Sequence, residues 1–233
     1  MELGKTLRYP AKSHRKQVKI PAESADLAEF FGILLGDGGI NNDWQVNITL
    51  NSVADATYAK HVVRLCKQLF GISPAVRKRK NRNTLVVSLA STTVVNFVVG
   101  KGLLRGNKIK GGANIPAWIL ANKMYRRRCV RGLMDTDGCL YIHVHKVLNK
   151  EYKNIGLCFT NHAPGILVAV ATIFEEFGIM PHITNKGRCI YLYQADAVAK
   201  YLNVFGTSNS RIQSVHNTWK RGRVVEGARL ESV

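Results

Sequence analysis

The residues best suited to do chemistry in this chain are two aspartates that end two similar segments. The segments are Phe30–Gly38 and Val130–Gly138, and each has a glycine at its third position and an Asp-Gly pair at its end. Both read as apolar helices, so Asp37 and Asp137 are expected side by side at two helix C-termini. A carboxylate is disfavoured there by about 0.3–1 kcal/mol, because the helix dipole is negative at that end. Two such carboxylates predict a bound divalent cation, and oxygen ligands favour Mg²⁺ over zinc.

The glycines inside the two segments predict how the helices meet. Gly32 and Gly132 each cost about 1 kcal/mol relative to alanine in a helix interior. Because both copies have the glycine at the same place, we expect the helices to pack closely along their glycine faces. The copies differ at one acidic position, where Asp135 corresponds to Leu35. Asp135 cannot therefore be a shared catalytic requirement, and we interpret it as structural or peripheral.

Helices, strands and turns follow the same order around both segments. Ser24 is a candidate cap for a helix over 25–35, and strict alternation over Gln45–Asn51 predicts a half-exposed strand. The run Phe-Gly-Ile-Ser-Pro at 70–74 corresponds to Phe-Gly-Ile-Met-Pro at 177–181, which supports a duplication. Each half then reads α-β-β-α-β-β-α. The predicted boundaries are a basic arm (1–23), a first half (24–99), a Gly- and Lys-rich linker (100–123), a second half (124–213) and a basic tail (214–233).

Composition narrows the class of partner. The chain has 233 residues, with 34 Lys and Arg against 15 Asp and Glu, and its net charge of +19 points to nucleic acid. The five cysteines lack the paired spacing of a metal or disulfide framework, as is typical of a reducing compartment. No apolar run is long enough to span a bilayer, and no signal-peptide core begins the chain. We expect a protein of the prokaryotic cytoplasm or nucleoid, or of an organelle interior, that is neither secreted nor membrane-bound.

The two segments resemble the signature of the LAGLIDADG homing endonucleases, in the single-chain form with two motifs. The order of elements matches as well, so the resemblance covers residues 24–213. It implies an α+β fold in which two pseudo-symmetric αββαββα halves each hold a curved antiparallel sheet. The two sheets form a DNA-binding saddle, and the motif helices join the halves. The resemblance also implies a monomer that binds double-stranded DNA and two or more Mg²⁺ ions.

The resemblance assigns metal-binding roles to four residues. Asp37 and Asp137 match the acids that bind the metals. Gly36 and Thr136 match positions whose backbone carbonyls also face the metals. A Mg²⁺-dependent cut in each DNA strand would follow, and the closeness of the two acids implies staggered ends.

The resemblance is less complete for the auxiliary groups. The family often has an amide side chain at the end of the second strand of each half, where it orients the attacking water. Asn51 fits that position in the first half, whereas Thr160 and Asn161 are both candidates in the second. The family also often has a lysine near the last strand, but this sequence has Ala-Ser-Thr at 90–92 and Gln-Ala-Asp at 194–196. Neither half has the expected lysine there.

Strand alternation predicts which side chains face DNA. Val46, Ile48 and Leu50 are expected in the core of the first half, and Leu140, Ile142 and Val144 in the core of the second. The residues expected on the DNA face are Gln45, Asn47, Thr49, Arg77, Arg79, Lys80 and Arg82 in the first half and Tyr141, His143, His145, Lys153, His182, Thr184, Lys186 and Arg188 in the second. A two-stranded ribbon of this kind fits the major groove. Other basic residues, Lys108 among them, are expected to meet phosphates or solvent.

These expectations converge on a homing endonuclease that makes a staggered double-strand break in a long target. Because the two halves differ at every predicted base-facing position, the target should be asymmetric. Two alternatives stay open on the same scaffold: a DNA-binding regulator that does not cut, and an intron maturase whose partner is RNA. The resemblance also makes an intron-encoded gene the expected context.

Overall fold

The computed structural model of the chain describes residues 6–7, 17–148, 150–184 and 186–230. Most of the predicted N-terminal basic arm lies outside these residues. In the first half the elements are β1 (Thr6–Leu7), β2 (Val18–Lys19), α1 (Ala25–Gly36), β3 (Gly38–Asn42), β4 (Gln45–Asn51), α2 (Ala56–Phe70), β5 (Ala75–Lys78), β6 (Thr84–Ala90) and α3 (Thr92–Gly100). From the linker onward they are α4 (Ala117–Leu120), α5 (Lys123–Asp137), β7 (Gly138–Val147), β8 (Lys150–Thr160), α6 (Pro164–Glu176), β9 (His182–Thr184), β10 (Cys189–Leu192), α7 (Ala195–Val204) and α8 (Ser210–Leu230).

The two halves have the same sheet topology, so the predicted α+β duplication is confirmed. The first sheet has the order β3-β4-β6-β5 and the second has β7-β8-β10-β9. All neighbouring strands in both sheets are antiparallel. Each half runs α-β-β-α-β-β-α from its motif helix, α1 or α5. The first half includes β3, whose Gly-Gly-Ile-Asn-Asn sequence has no alternating pattern and which the sequence analysis did not locate.

Side-chain alternation along the strands separates a core face from an open face, which we define as the sheet face opposite the core. Val46, Ile48 and Leu50 of β4 are all buried, as predicted. In β7 the alternation fails toward the end of the strand, because Leu140 is buried but Val144 is 48% exposed. The β7–β8 hairpin pairs residues as far as Val147 with Lys150, and it therefore extends beyond the core.

The motif helices α1 and α5 pack against each other through their glycines. A Cβ added to Gly32 would lie 2.1 Å from the backbone oxygen of Cys129, and one added to Gly132 would lie 2.3 Å from that of Glu29. Each glycine thus meets the residue three positions before the other glycine. The contact is a pseudo-twofold close approach of two backbones, which only glycine permits.

Two segments differ from their predicted character. The predicted basic tail begins within helix α8, whose Ile212 is fully buried. The linker is not a loose tether either, because Leu103, Ala113 and Ile115 are buried in the core. Its backbone is held to the first sheet, where the Gly106 N–H donates to the Ile40 carbonyl at 2.8 Å.

Within the described residues, no helix is both long enough and apolar enough to cross a membrane.

Candidate active site

The two motif aspartates end α1 and α5 at the junction of the halves. Glycine follows each aspartate because the strand turns back tightly over the helix end. A Cβ on Gly38 would lie 2.4 Å from Leu34 Cα, and a Cβ on Gly138 would lie 2.4 Å from the Met134 oxygen. The two helix tips also meet directly, since a Cβ on Gly36 would lie 2.0 Å from Thr136 Oγ1 and 3.4 Å from the carboxyl carbon of Asp137.

Both carboxyl groups resist ionisation where they lie. Burial raises the pKa of Asp37 to about 7, and the charges of Asp137 and Asp55 add to the rise. Burial also raises the pKa of Asp137 to about 6, against a hydrogen bond from Asn161 and the charges of Lys108 and His162, which lower it. Burial thus disfavours the ionised carboxylates more than the nearby positive charges favour them. A cation bound between the aspartates would stabilise the ionised forms.

Each aspartate borders its own cavity. Asp137 lines a cavity of about 210 Å³ together with Gly36, Thr160, Asn161 and His162. Asp37 lines one of about 350 Å³ on the other side, with Asn47, Thr49 and Gly106. Lys108 and Ile109 of the linker belong to the walls of both cavities. The linker therefore runs between the two half-sites.

The structure separates the two candidates for the second-half auxiliary group. Asn161 donates from Nδ2 to Asp137 Oδ2 at 2.8 Å, and its own Oδ1 accepts the Ala163 N–H at 2.8 Å. Thr160 Oγ1 instead lies 3.4 Å from Cys189 Sγ and 3.5 Å from Cys158 Sγ. Asn161 is therefore the candidate that contacts the motif acid.

In the first half, Asn51 is not placed like Asn161. Its Oδ1 accepts the N–H groups of Val53 and Ala54, at 2.9 and 3.0 Å, and thereby shapes the turn before α2. The strand registers pair Gly38 with Ile48 and Gly138 with Phe159. Counting two residues onward from these pairs aligns Asn161 with Leu50, which is buried in the core.

Lys108 is a basic group beside the motif aspartates that no sequence motif marks. Because it stands in a Gly- and Lys-rich stretch, the sequence predicts contact with phosphates or solvent. Its ammonium instead donates to the carbonyls of Leu34 at 3.2 Å, Leu35 at 2.8 Å and Gly36. His162 was also missed, and its only sequence signal is its position directly after Asn161.

Asp135 has the structural role expected of it. Burial raises its pKa to about 6, while hydrogen bonds from Thr207 and Ser208 lower it. The Ser208 N–H donates to Asp135 Oδ2 at 2.8 Å, and the Thr207 hydroxyl donates to Oδ1. Asn209, fully buried, donates to the Asp135 carbonyl at 2.8 Å and to Asp55 Oδ1 of the first half at 2.9 Å. Residues 207–209 thus bridge the two halves beside the site.

The open face of the first sheet carries amide and basic side chains. Gln45 Nε2 and Ser88 Oγ both donate to Asn47 Oδ1, at 3.0 and 2.7 Å. The register places Arg77 opposite Val86, which is itself opposite Thr49, so Arg77 shares this face. Arg79 follows two residues later, and Lys80 and Arg82 are exposed in the following turn.

The open face of the second sheet carries aromatic rings. His145 stacks on His143 and on Tyr152, with ring centroids 5.6 and 5.7 Å apart. Tyr191 and Tyr193 stack at 5.3 Å. Tyr141 lies on this face too, close enough to Gly156 that a Cβ there would be 2.5 Å from its ring. The register extends the face to His182 and Thr184 of β9.

Two residues predicted on the DNA face of the second half lie elsewhere. Lys153 pairs with Val144, which shares the core-side alternation of Leu140, and its carbonyl accepts from Trp219 of α8. Arg188 lines a cavity with Leu167 of α6, on the helix side of the sheet. Neither side chain is thus found on the open face, and their contact with DNA stays a prediction. Lys186, in the turn between β9 and β10, lines the same cavity as Arg188.

The residues at the helix tips fit a divalent cation. Asp37 and Asp137 are half-buried carboxylates with raised pKa values, and backbone carbonyls end α1 beside them. In the described ranges, no three His, Cys, Asp or Glu side chains converge as a self-sufficient metal site. Mg²⁺ suits such a sparse set, because it keeps several waters and takes substrate phosphates as ligands.

The fold is shared with solved structures of LAGLIDADG homing endonucleases. The chain superposes on the LAGLIDADG meganuclease I-AabMI bound to uncleaved DNA with a TM-score of 0.57, at 9% identity, over 86% of this chain and 92% of that one. The I-LtrWI endonuclease bound to target DNA superposes with a TM-score of 0.53 at 9% identity, over 89% of this chain and 92% of that one. I-DmoI in complex with DNA and Mn superposes with a TM-score of 0.50 at 15% identity, over 78% of this chain and 96% of that one. No protein-family model and no curated protein matches the sequence significantly.

Proposed function

We propose that the protein is a site-specific DNA endonuclease that makes a staggered double-strand break in a long asymmetric target by metal-dependent phosphodiester hydrolysis. The observation that carries this proposal is the pair Asp37 and Asp137, half-buried at two helix tips that touch, each beside its own cavity. Two equivalent acids at one junction suit a substrate with two related strands. Structures with the same fold are described as homing endonucleases bound to DNA, which supports the substrate class.

The proposed metal ligands are the carboxylates of Asp37 and Asp137, with the backbone carbonyls of Gly36 and Thr136. Bound Mg²⁺ would polarise the phosphoryl oxygen, activate a water and stabilise the leaving oxygen. The Mn in the I-DmoI complex with DNA supports a divalent cation in this fold. The protein's part is to hold two carboxylates in a half-buried position that disfavours their charge when no cation is bound.

Asn161 is proposed to position the second-half acid. Its Nδ2 holds Asp137 Oδ2 while its Oδ1 is held by the Ala163 N–H, so the amide cannot rotate freely. One Nδ2 hydrogen remains for a water or a phosphate oxygen. Asn51 has no such contact with Asp37, so the two half-sites are proposed to orient their reactants differently.

Recognition of DNA is proposed to use the two open faces. The first presents amides and arginines, which suit hydrogen bonds to base edges in the major groove. The second presents stacked histidines and tyrosines, which offer apolar contact and few fixed donors. Since the faces differ in chemistry, the two half-sites of the target should differ in sequence. The charge of +19 would add phosphate contacts and a strong salt dependence.

The test is cleavage of a randomised duplex library by the purified full chain in Mg²⁺, with sequencing of the cut ends. We expect one asymmetric consensus and a constant stagger between the two cuts. DNA binding without cleavage under these conditions would favour the regulator. Binding to intron RNA in preference to any duplex would favour the maturase. Either result would overturn the proposed function.

A further inference from the structure

Lys108 is held in place by the folded linker. Asn107 Oδ1 accepts the N–H groups of Ile109 and Lys110, both at 3.0 Å, and so forms a tight turn around Lys108. The turn is tied to the first sheet by Gly106. The chain therefore directs this side chain toward the centre, where it is largely withdrawn from solvent.

The ammonium of Lys108 completes the end of α1. The last carbonyls of a helix have no partner within the helix and carry the negative end of its dipole. Lys108 donates to Leu35 at 2.8 Å, to Leu34 at 3.2 Å and to Gly36. An ammonium has three donors, so these carbonyls occupy all of them.

The last carbonyls of the corresponding tip of α5 accept from uncharged donors. The Met134 carbonyl accepts the Gly138 N–H, and the Asp135 carbonyl accepts from Asn209 Nδ2 at 2.8 Å. The Thr136 hydroxyl donates back to the Leu133 carbonyl at 2.9 Å. Arg211 donates to the carbonyl of Gly138, the residue after the helix, at 3.2 Å. A cation thus contacts the last-turn carbonyls of α1, whereas at α5 it contacts only the residue beyond the helix.

We infer that Lys108 is the internal counter-ion of the first half-site, and that a divalent cation must displace its ammonium from the α1 tip to bind at Asp37. This inference rests on the metal centre of the proposed function. The Gly36 carbonyl that the ammonium contacts is also a proposed metal ligand, so the two cations would lie within a few ångströms of each other. Two like-charged groups within a few ångströms also repel strongly in a buried site.

The charges and burial around Lys108 are consistent with an ammonium that another cation can displace from the end of α1. Burial lowers the pKa of Lys108, whereas the charges of Asp137 and Asp37 raise it. The ammonium thus pays a desolvation cost that the two aspartates only partly offset. A divalent cation carries twice the charge and would interact with the same carboxylates more strongly.

The test measures Mn²⁺ binding to the DNA-free full chain by isothermal titration and by the electron spin resonance signal of free Mn²⁺. Lys108→Met keeps the aliphatic stem without the charge, and Lys108→Gln keeps donors for the carbonyls as well. Lys110→Met is the matched control, because Lys110 is exposed and only its backbone contributes to the turn. We expect at least tenfold tighter Mn²⁺ binding in both Lys108 variants and no change in the control.

The outcomes separate this inference from the proposed function. Mn²⁺ binding that is unchanged or weaker in a folded Lys108→Gln variant would overturn the role of Lys108 and leave the metal centre standing. A gain that persists after Asp37→Asn is added would also overturn it, because the cation would then bind elsewhere. No Mn²⁺ binding by any variant, with or without duplex DNA, would overturn the metal centre itself.

Discussion

The two halves of the molecule agree in backbone and in acid, and they differ in what surrounds the acid. Asp37 and Asp137 follow equivalent helices and precede equivalent glycines. Asp137, however, is held by Asn161 and lies near His162, whereas the position aligned with Asn161 in the first half is the buried Leu50. The first half instead draws on Lys108 from the linker. Duplication has fixed the frame that holds the two acids, while each half has its own means of positioning charge.

The open faces differ in the same way. In the first sheet, Asn47 is preorganised by donors from Gln45 and Ser88. In the second, stacked rings such as His145 and Tyr152 cover the corresponding surface. Directional hydrogen bonds discriminate bases more sharply than stacked rings do. We therefore expect the target half bound by the first sheet to be the more stringent one.

The largest effect is expected from changes to the shared acids. Asp37→Asn or Asp137→Asn should reduce double-strand cleavage by about 10³-fold or more, because metal stabilisation of the transition state contributes several kcal/mol. DNA binding should be nearly unchanged, since the base and phosphate contacts are proposed to lie on other residues. Mg²⁺-dependent cleavage and gel-shift of the selected target measure the two properties.

Asp196→Asn is the control for this pair, because Asp196 is exposed in the first turn of α7. It should leave cleavage intact. Full double-strand cleavage by either motif variant would refute the metal assignment.

The next effect concerns the symmetric helix contact. Gly32→Ala and Gly132→Ala each force a methyl group to within 2.1 or 2.3 Å of a backbone oxygen, which no side-chain rotation can relieve. We expect each to lower the free energy of unfolding by about 3 kcal/mol. Gly100→Ala should be nearly neutral, since nothing lies within 4 Å of its added Cβ. Urea unfolding measures all three, and a neutral Gly32→Ala would show that the helices are farther apart.

A smaller effect is expected where the C-terminal segment bridges the halves. Asn209→Ala removes the donor to Asp55 and to the Asp135 carbonyl. Leaving buried acceptors unpaired should lower the free energy of unfolding by about 2 kcal/mol. Asn217→Ala, at an exposed position of α8, provides the comparison in thermal or urea unfolding. Equal losses in both variants would mean that the bridge contributes nothing.

Local patterns predicted most of the fold, and long-range contacts account for what they missed. Ser24, which accepts the Leu27 N–H at 3.2 Å, and Gly71, left-handed at φ 70°, mark helix ends by their own chemistry. The sequence did not predict helix α8, because its residues are mostly polar and only a few of them, such as Ile212, are buried against the rest of the protein. Lys108 was missed because the Leu35 carbonyl it contacts is 73 residues away in the chain. Lys153 was expected on the open face, but alternation alone does not give the register that pairs it with Val144.

The smallest expected effect comes from Asn161, whose side-chain amide contacts the motif acid in only one of the two half-sites. Asn161→Ala should slow cleavage of one strand by about tenfold, as is usual when a partner of a metal ligand is removed, and nicked DNA should accumulate. The hydrogen bond from Asn161 lowers the pKa of Asp137, so its loss raises that pKa further. Because the ionised carboxylate is the proposed metal ligand, the pH–rate profile of that strand should shift to higher pH. Asn51→Ala should shift neither profile, since Asn51 only caps the turn before α2. Strand-specific end labels on the target measure both rates, and a shift in both strands with Asn161→Ala would mean that the two half-sites share one titrating unit.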